Sequence, residues 1–176
     1  MKFGQSFFKY FDKIVCGLRA LHNLNILHRD LKVSLIKSAN VFLYKNFTAK
    51  LGDLNVSKIT KKGWGTTQTG TPYYASPEVW NNTTYNKKSD IWSLGCVLYE
   101  MASLKPPFMA KEIETLYQKV LLGFIHLGAY KEIPNHYSKE LSIILSKCFK
   151  FHTKHAQLVV TLIRTNAIKR FYSKKS

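Results

Sequence analysis

Two aspartates stand in settings that suit a divided chemical task. Asp30 lies in His28-Arg29-Asp30-Leu31-Lys32, and Asp53 lies in Lys50-Leu51-Gly52-Asp53-Leu54-Asn55, at the end of an extended apolar stretch. One carboxylate can receive a proton from a hydroxyl while the other holds a hard divalent cation, the pairing needed when a phosphoryl group moves from a nucleotide to an alcohol. Lys32 would add a positive charge beside the first aspartate. Taken singly, a loop aspartate is more often a turn or capping residue than a catalyst, so weight falls on what surrounds these two.

What surrounds them is a series of further motifs in fixed order. Gly70-Thr71-Pro72-Tyr73-Tyr74-Ala75-Ser76-Pro77-Glu78 is followed by Lys88-Ser89-Asp90-Ile91-Trp92-Ser93-Leu94-Gly95-Cys96-Val97-Leu98-Tyr99-Glu100, and then by Leu104-Lys105-Pro106-Pro107-Phe108. Over about residues 5 to 150 the chain resembles the large, C-terminal lobe of a eukaryotic protein kinase. The Asp-Leu-Asn of the second aspartate's loop and the Tyr-Ala-Ser-Pro-Glu stretch are most similar to the NimA-related (Nek) serine/threonine kinases.

The resemblance implies ATP-dependent transfer of phosphate to protein serine or threonine with Mg2+, the activity of a non-specific serine/threonine protein kinase. By that pattern Asp30 is the proton acceptor, and Lys32 faces the transferring phosphate. Asp53 and the amide oxygen of Asn40 hold magnesium, oxygen donors being what a hard cation prefers. His28 braces the loop, and Arg29 meets a phosphate on the activation segment through its two-pronged guanidinium. Thr67 is the expected phosphate acceptor, with Thr66 and Thr69 behind it. Thr71 lines the substrate groove and touches Asp30 and Lys32, Glu78 pairs with an arginine later in the lobe, and Asp90 bonds backbone amides of the catalytic loop.

The sequence departs from that pattern in four places. Asp30 and Asn40 are ten positions apart, whereas the family's loop places its asparagine five after the aspartate. The excess, Val33-Ser34-Leu35-Ile36-Lys37, would bulge toward the substrate or draw Asn40 from the metal, and a misplacement of about 1 Å can cost about a hundredfold in rate. A smaller excess lies near Gly123-Phe124-Ile125-His126-Leu127. No Arg-Pro pair follows Lys150, which would leave Glu78 without its arginine. No Gly-x-Gly-x-x-Gly or Val-Ala-Ile-Lys-like strand precedes the first helical pattern, so the N-terminal lobe is expected to be missing and the domain truncated: either a fragment of a longer gene product or a kinase-derived piece that cannot catalyse.

The elements that must position these groups are legible in the periodicity. Phe7, Phe11, Ile14, Leu18 and Leu21 recur at three and four, which predicts a helix ending near Asn23 or Asn25. Ile26-Leu27, Val41 to Tyr44 and Ala49 to Leu51 suit short strands around the catalytic loop. Ser89 with Asp90 predicts a helix start, Ile91, Leu94, Val97, Leu98 and Met101 its apolar stripe, and Pro106-Pro107 its stop. Glu112 to Leu122 and Lys139 to Phe149 read as two more helices, with Ile133-Pro134 extended between them. Trp92, Tyr73 and Tyr74 read as packing residues, and Lys87-Lys88 as a solvated pair. The expected fold is α+β, mainly helical with a few short strands: residues 1–150 as the kinase lobe and 151–176 as a basic, divergent, partly disordered tail.

Bulk properties set the remaining bounds. A chain of 176 residues can bury about two-thirds of the surface it exposes when unfolded. Cys16, Cys96 and Cys148 are far apart and form no Cys-x-x-Cys pair, which argues against zinc or a disulfide framework and for a reducing compartment. No apolar window reaches the length of a membrane span, so a cytoplasmic protein is expected, with nucleus or cilium as further locations. The formal charge is +17, from 27 Lys and Arg against 10 Asp and Glu, and no acidic residue follows Glu140. The lysines are scattered without an aromatic platform, which argues against nucleic acid and leaves acidic proteins or cytoskeletal polymers as partners. A rival reading is a non-catalytic, pseudokinase-like interaction module that docks through this basic surface.

Overall fold

The computed structural model describes residues 2–32, 41–43, 49–51, 72–125 and 130–150. Among them the order is α1 (Lys2–Asn23), β1 (Val41–Leu43), β2 (Ala49–Leu51), α2 (Pro77–Trp80), α3 (Lys87–Ser103), α4 (Ile113–Ile125) and α5 (Lys139–Cys148). The described chain is thus mostly helical, with one two-stranded antiparallel hairpin pairing Val41 with Leu51 and Leu43 with Ala49. That hairpin lies against α1.

Helix α1 turns Phe11, Ile14, Val15, Leu18 and His22 to the interior, the three-and-four spacing of one face. Its end is closed by a reciprocal pair of backbone bonds, Ile26 N–H to Leu21 O at 2.9 Å and Asn25 N–H to His22 O at 3.2 Å. Asn25 sits at φ 57°, the left-handed position that this termination needs and that asparagine tolerates. Lys87 adds its ammonium to the His22 carbonyl at 2.7 Å and to Asn25 Oδ1 at 2.9 Å. It is therefore not simply solvated: it neutralises the negative end of α1.

The strand expected at Ile26-Leu27 is absent. The amide of Ile26 is spent on the helix end, and those of His28 and Arg29 are bound by Asp90, so this stretch has little backbone left for a ladder.

Helix α3 is buried on nearly every side, Ile91, Trp92, Leu94, Cys96, Val97 and Leu98 all included, as befits the central helix of a small core. It begins at Lys87, ahead of the expected Ser89. Asn86 accepts from Lys88 N–H at 2.8 Å, and Ser89 Oγ accepts the Asn86 amide in return at 3.2 Å, so the cap is set before the apolar stripe begins. The helix ends at Ser103 with Leu104 at φ 59°, not at the prolines themselves. Pro106 acts indirectly, by disfavouring helical geometry at Lys105.

Helix α5 packs along α3, and α2 against α4. Trp92 stacks on Phe108 at 5.5 Å, and Phe149 meets both rings edge-on. Tyr73 and Tyr74 pack against this core.

The tightest seam is at Gly95, where an added Cβ would meet the Cys148 Cβ at 2.6 Å and the Phe149 ring at 3.0 Å. A neighbouring Cβ cannot rotate away, so the cost of overpacking, about 1–3 kcal/mol, works against a helix-propensity gain of about 1 kcal/mol. Gly95→Ala is expected to lower the urea midpoint. A variant more stable than the parent would contradict the α3–α5 packing.

Candidate active site

The loop from Ile26 to Lys32 leaves the end of α1 and is held from below by Asp90, in the first turn of α3. The Asp90 side chain is fully buried and takes four donors. Oδ2 accepts from His22 Nε2 at 2.7 Å and from the His28 amide at 2.9 Å. Oδ1 accepts from the Arg29 amide at 2.9 Å and from the Tyr85 hydroxyl at 2.7 Å. Burial alone would raise the carboxyl's pKa, but the bonds from His22, Tyr85 and the two amides outweigh it and hold Asp90 below its ordinary value. The anion is the resident form.

Anchored in this way, the loop alternates. His28 and Leu31 are buried while Arg29 is exposed and Asp30 and Lys32 are half-exposed. Leu31 plugs the loop into the core, and Asp30 and Lys32 meet above it, Nζ to Oδ2 at 2.9 Å, with about a third of each side chain open to solvent. A carboxylate and an ammonium in contact at an open surface can accept a proton and neutralise a phosphate from one place. Arg29 takes φ 68°, a region sparsely used by non-glycine residues and found where surroundings over-determine the backbone.

Glu78 is buried in α2 and accepts from the Ser89 hydroxyl at 2.5 Å. Its described partner is thus a serine of α3, not an arginine. A hydroxyl donor relieves part of the cost of burying that carboxylate. Tyr74 ties the preceding segment to α3 twice, its hydroxyl donating to Glu100 and its carbonyl accepting from Ser93 Oγ at 2.9 Å. Burial pushes Glu100 above the usual carboxylate range, against the pull of the Tyr74 bond.

Asn40, Asp53, Thr67 and Thr71, with the alternatives Thr66 and Thr69, lie outside the described residues. Among the described residues no three His, Cys, Asp or Glu side chains gather as a metal site; the oxygen donors of Asp53 and Asn40 expected from the sequence are of the kind magnesium prefers. Helices that could cross a membrane are likewise absent among the described residues.

The sequence motifs do not single out His22 and Tyr85. His22 carries a faint signal, since it continues the buried 11, 14, 15, 18 register of α1. Tyr85 has none, because its role depends on how the 81–86 segment folds back over Asp90.

Comparison with known proteins agrees with the motifs. The protein kinase domain family model matches residues 4–169. The chain is 40% identical over 156 residues to mouse serine/threonine-protein kinase Nek3, covering 88% of this chain and 29% of that protein. It is 41% identical over 155 residues to human Nek2 (87% and 33%) and 43% identical over 138 residues to a probable nek2 kinase of Dictyostelium discoideum (76% and 31%). The chain spans a third or less of the length of these curated relatives.

Proposed function

The chain belongs to the protein kinase family, where NimA-related kinases are among its near relatives, and on that premise we propose that it is the helical, catalytic-loop lobe of a serine/threonine kinase that transfers phosphate from ATP to a protein hydroxyl. The observation that carries this reading is the Asp30–Lys32 contact on a loop clamped to Asp90.

Asp30 accepts the proton of the serine or threonine hydroxyl as that oxygen bonds to phosphorus and ADP departs. Lys32 neutralises charge on the moving group, and must release Asp30 as it does so. Magnesium, when bound, neutralises the phosphate oxygens, and Asp53 and Asn40 would hold it. Arg29, exposed beside Asp30, would receive a phosphate on Thr67, while Thr71 would line the substrate groove and His28 brace the loop from the core. Asp90 would hold the catalytic loop onto α3, and Glu78 would tie α2 to α3 through Ser89.

The ten-position spacing from Asp30 to Asn40 favours a second reading, an interaction module that has lost the chemistry and docks an acidic protein or cytoskeletal polymer through its basic surface. The deciding experiment incubates the protein with labelled ATP, magnesium and serine- or threonine-containing peptides and follows phosphate onto the hydroxyl, with melting temperature read in parallel. Transfer, together with stabilisation by nucleotide, supports the kinase. Neither effect at millimolar ATP overturns it in favour of the module.

A further inference from the structure

The four bonds to Asp90 are arranged as two matched pairs, for each carboxylate oxygen receives one loop amide and one side-chain donor. Oδ1 holds the Arg29 amide at 2.9 Å with the Tyr85 hydroxyl at 2.7 Å, and Oδ2 holds the His28 amide at 2.9 Å with His22 Nε2 at 2.7 Å. We infer that Tyr85 is a positioning residue for the catalytic loop, its hydroxyl fixing the rotation of the Asp90 carboxylate so that Oδ1 meets the Arg29 amide and Asp30 is held in place. The catalytic consequence rests on the kinase reading.

The terminal torsion of an aspartate is broad and roughly two-fold; His22 steadies Oδ2, and Tyr85 is the side-chain donor that steadies Oδ1, the oxygen that meets the Arg29 amide. Tyr85 precedes α3 by two residues and reaches Asp90 with a rigid ring, from the side opposite to His22 in the bonding pattern. Burial, with the Asp90 charge adding to it, pushes the Tyr85 hydroxyl well above its ordinary value of 10, which keeps it a protonated donor. Arg29 is the residue whose conformation most needs such support, since φ 68° relaxes unless its amide is held. Asp30 is the next residue, so a relaxed Arg29 moves the carboxylate that does the chemistry.

Tyr85→Phe keeps the ring and removes only the donor. The expected result is that amide exchange at Arg29 quickens by about tenfold or more relative to the α3 core amides of Leu94 and Val97, with kcat down about tenfold and both KM values within about twofold. Tyr117→Phe, which removes an exposed hydroxyl bonded to Asn81, should change neither. Unchanged exchange at Arg29, or a uniform rise across α3, overturns the inference. Should the variant not fold, the unaltered protein serves: a slowly exchanging Tyr85 hydroxyl proton with a cross-peak to the Arg29 amide supports the inference, and its absence overturns it. Exchange needs no activity, so an inactive protein with the expected exchange change leaves Tyr85's role standing while overturning the kinase reading.

Discussion

Asp90→Ala is expected to destabilise the fold by about 3–5 kcal/mol, the range for stripping one partner from a buried charged network. The substitution removes a buried anion, and relief from its desolvation works in the variant's favour. Against this stand four donors that lose their acceptor at once: the His22 ring, the Tyr85 hydroxyl and the amides of His28 and Arg29. Each buried donor left unmade costs about 1–3 kcal/mol, and the His22 ring and His28 amide are the more deeply buried pair. The losses therefore exceed the relief. Urea unfolding of the two proteins at neutral pH measures the difference, and a change below about 1 kcal/mol would contradict the anchoring role.

The same carboxylate sets a pH dependence with a definite sign. Its folded pKa lies below the ordinary 3.8, so its contribution is complete above the unfolded value and fades as acid carries the pH down through the folded one. The gap between parent and Asp90→Ala should accordingly narrow below about pH 4.

Asp30→Asn is expected to lower kcat about a thousandfold, the middle of the range for losing a positioned general base. Stability should hardly move, because Asp30 and Lys32 form an ion pair about one-third exposed, and exposed pairs contribute about 0–1 kcal/mol. That split separates chemistry from folding. Asparagine keeps the shape but cannot take a proton, so KM for the peptide should stay within about twofold. Equal losses in kcat and in unfolding free energy would show that Asp30 holds the loop together and does not act on substrate.

Much of the scaffold was legible because it rests on spacing. Phe11, Ile14 and Leu18 announced the buried face of α1, and Ile91, Leu94, Val97 and Leu98 announced α3, since a helix shows one face every three or four residues. The start of α3 is not legible in that pattern, because the Asn86–Ser89 cap lies outside it. Ile26-Leu27 reads as strand from sequence because two apolar residues do not distinguish a strand from the closing turn of a helix. Lys87 read as solvent-facing until the end of α1 came within its reach.

At the site, the order of motifs named Asp30, Lys32 and Asp90. Sequence gave no hint that Tyr85 and His22 converge on one carboxylate, for His22 stands 68 positions from it, and only packing brings α1 to α3. Ser89 was read as a helix start, yet its hydroxyl also reaches Glu78.

The most direct measurement is a crystal structure of the protein grown with magnesium and a non-hydrolysable ATP analogue. The account predicts that the carboxylates of Asp30 and Asp53 face one metal-nucleotide across a single cleft, with Lys32 turned from Asp30 toward the terminal phosphate. Two carboxylates directed to opposite sides of the molecule, with no cleft in common, would contradict it.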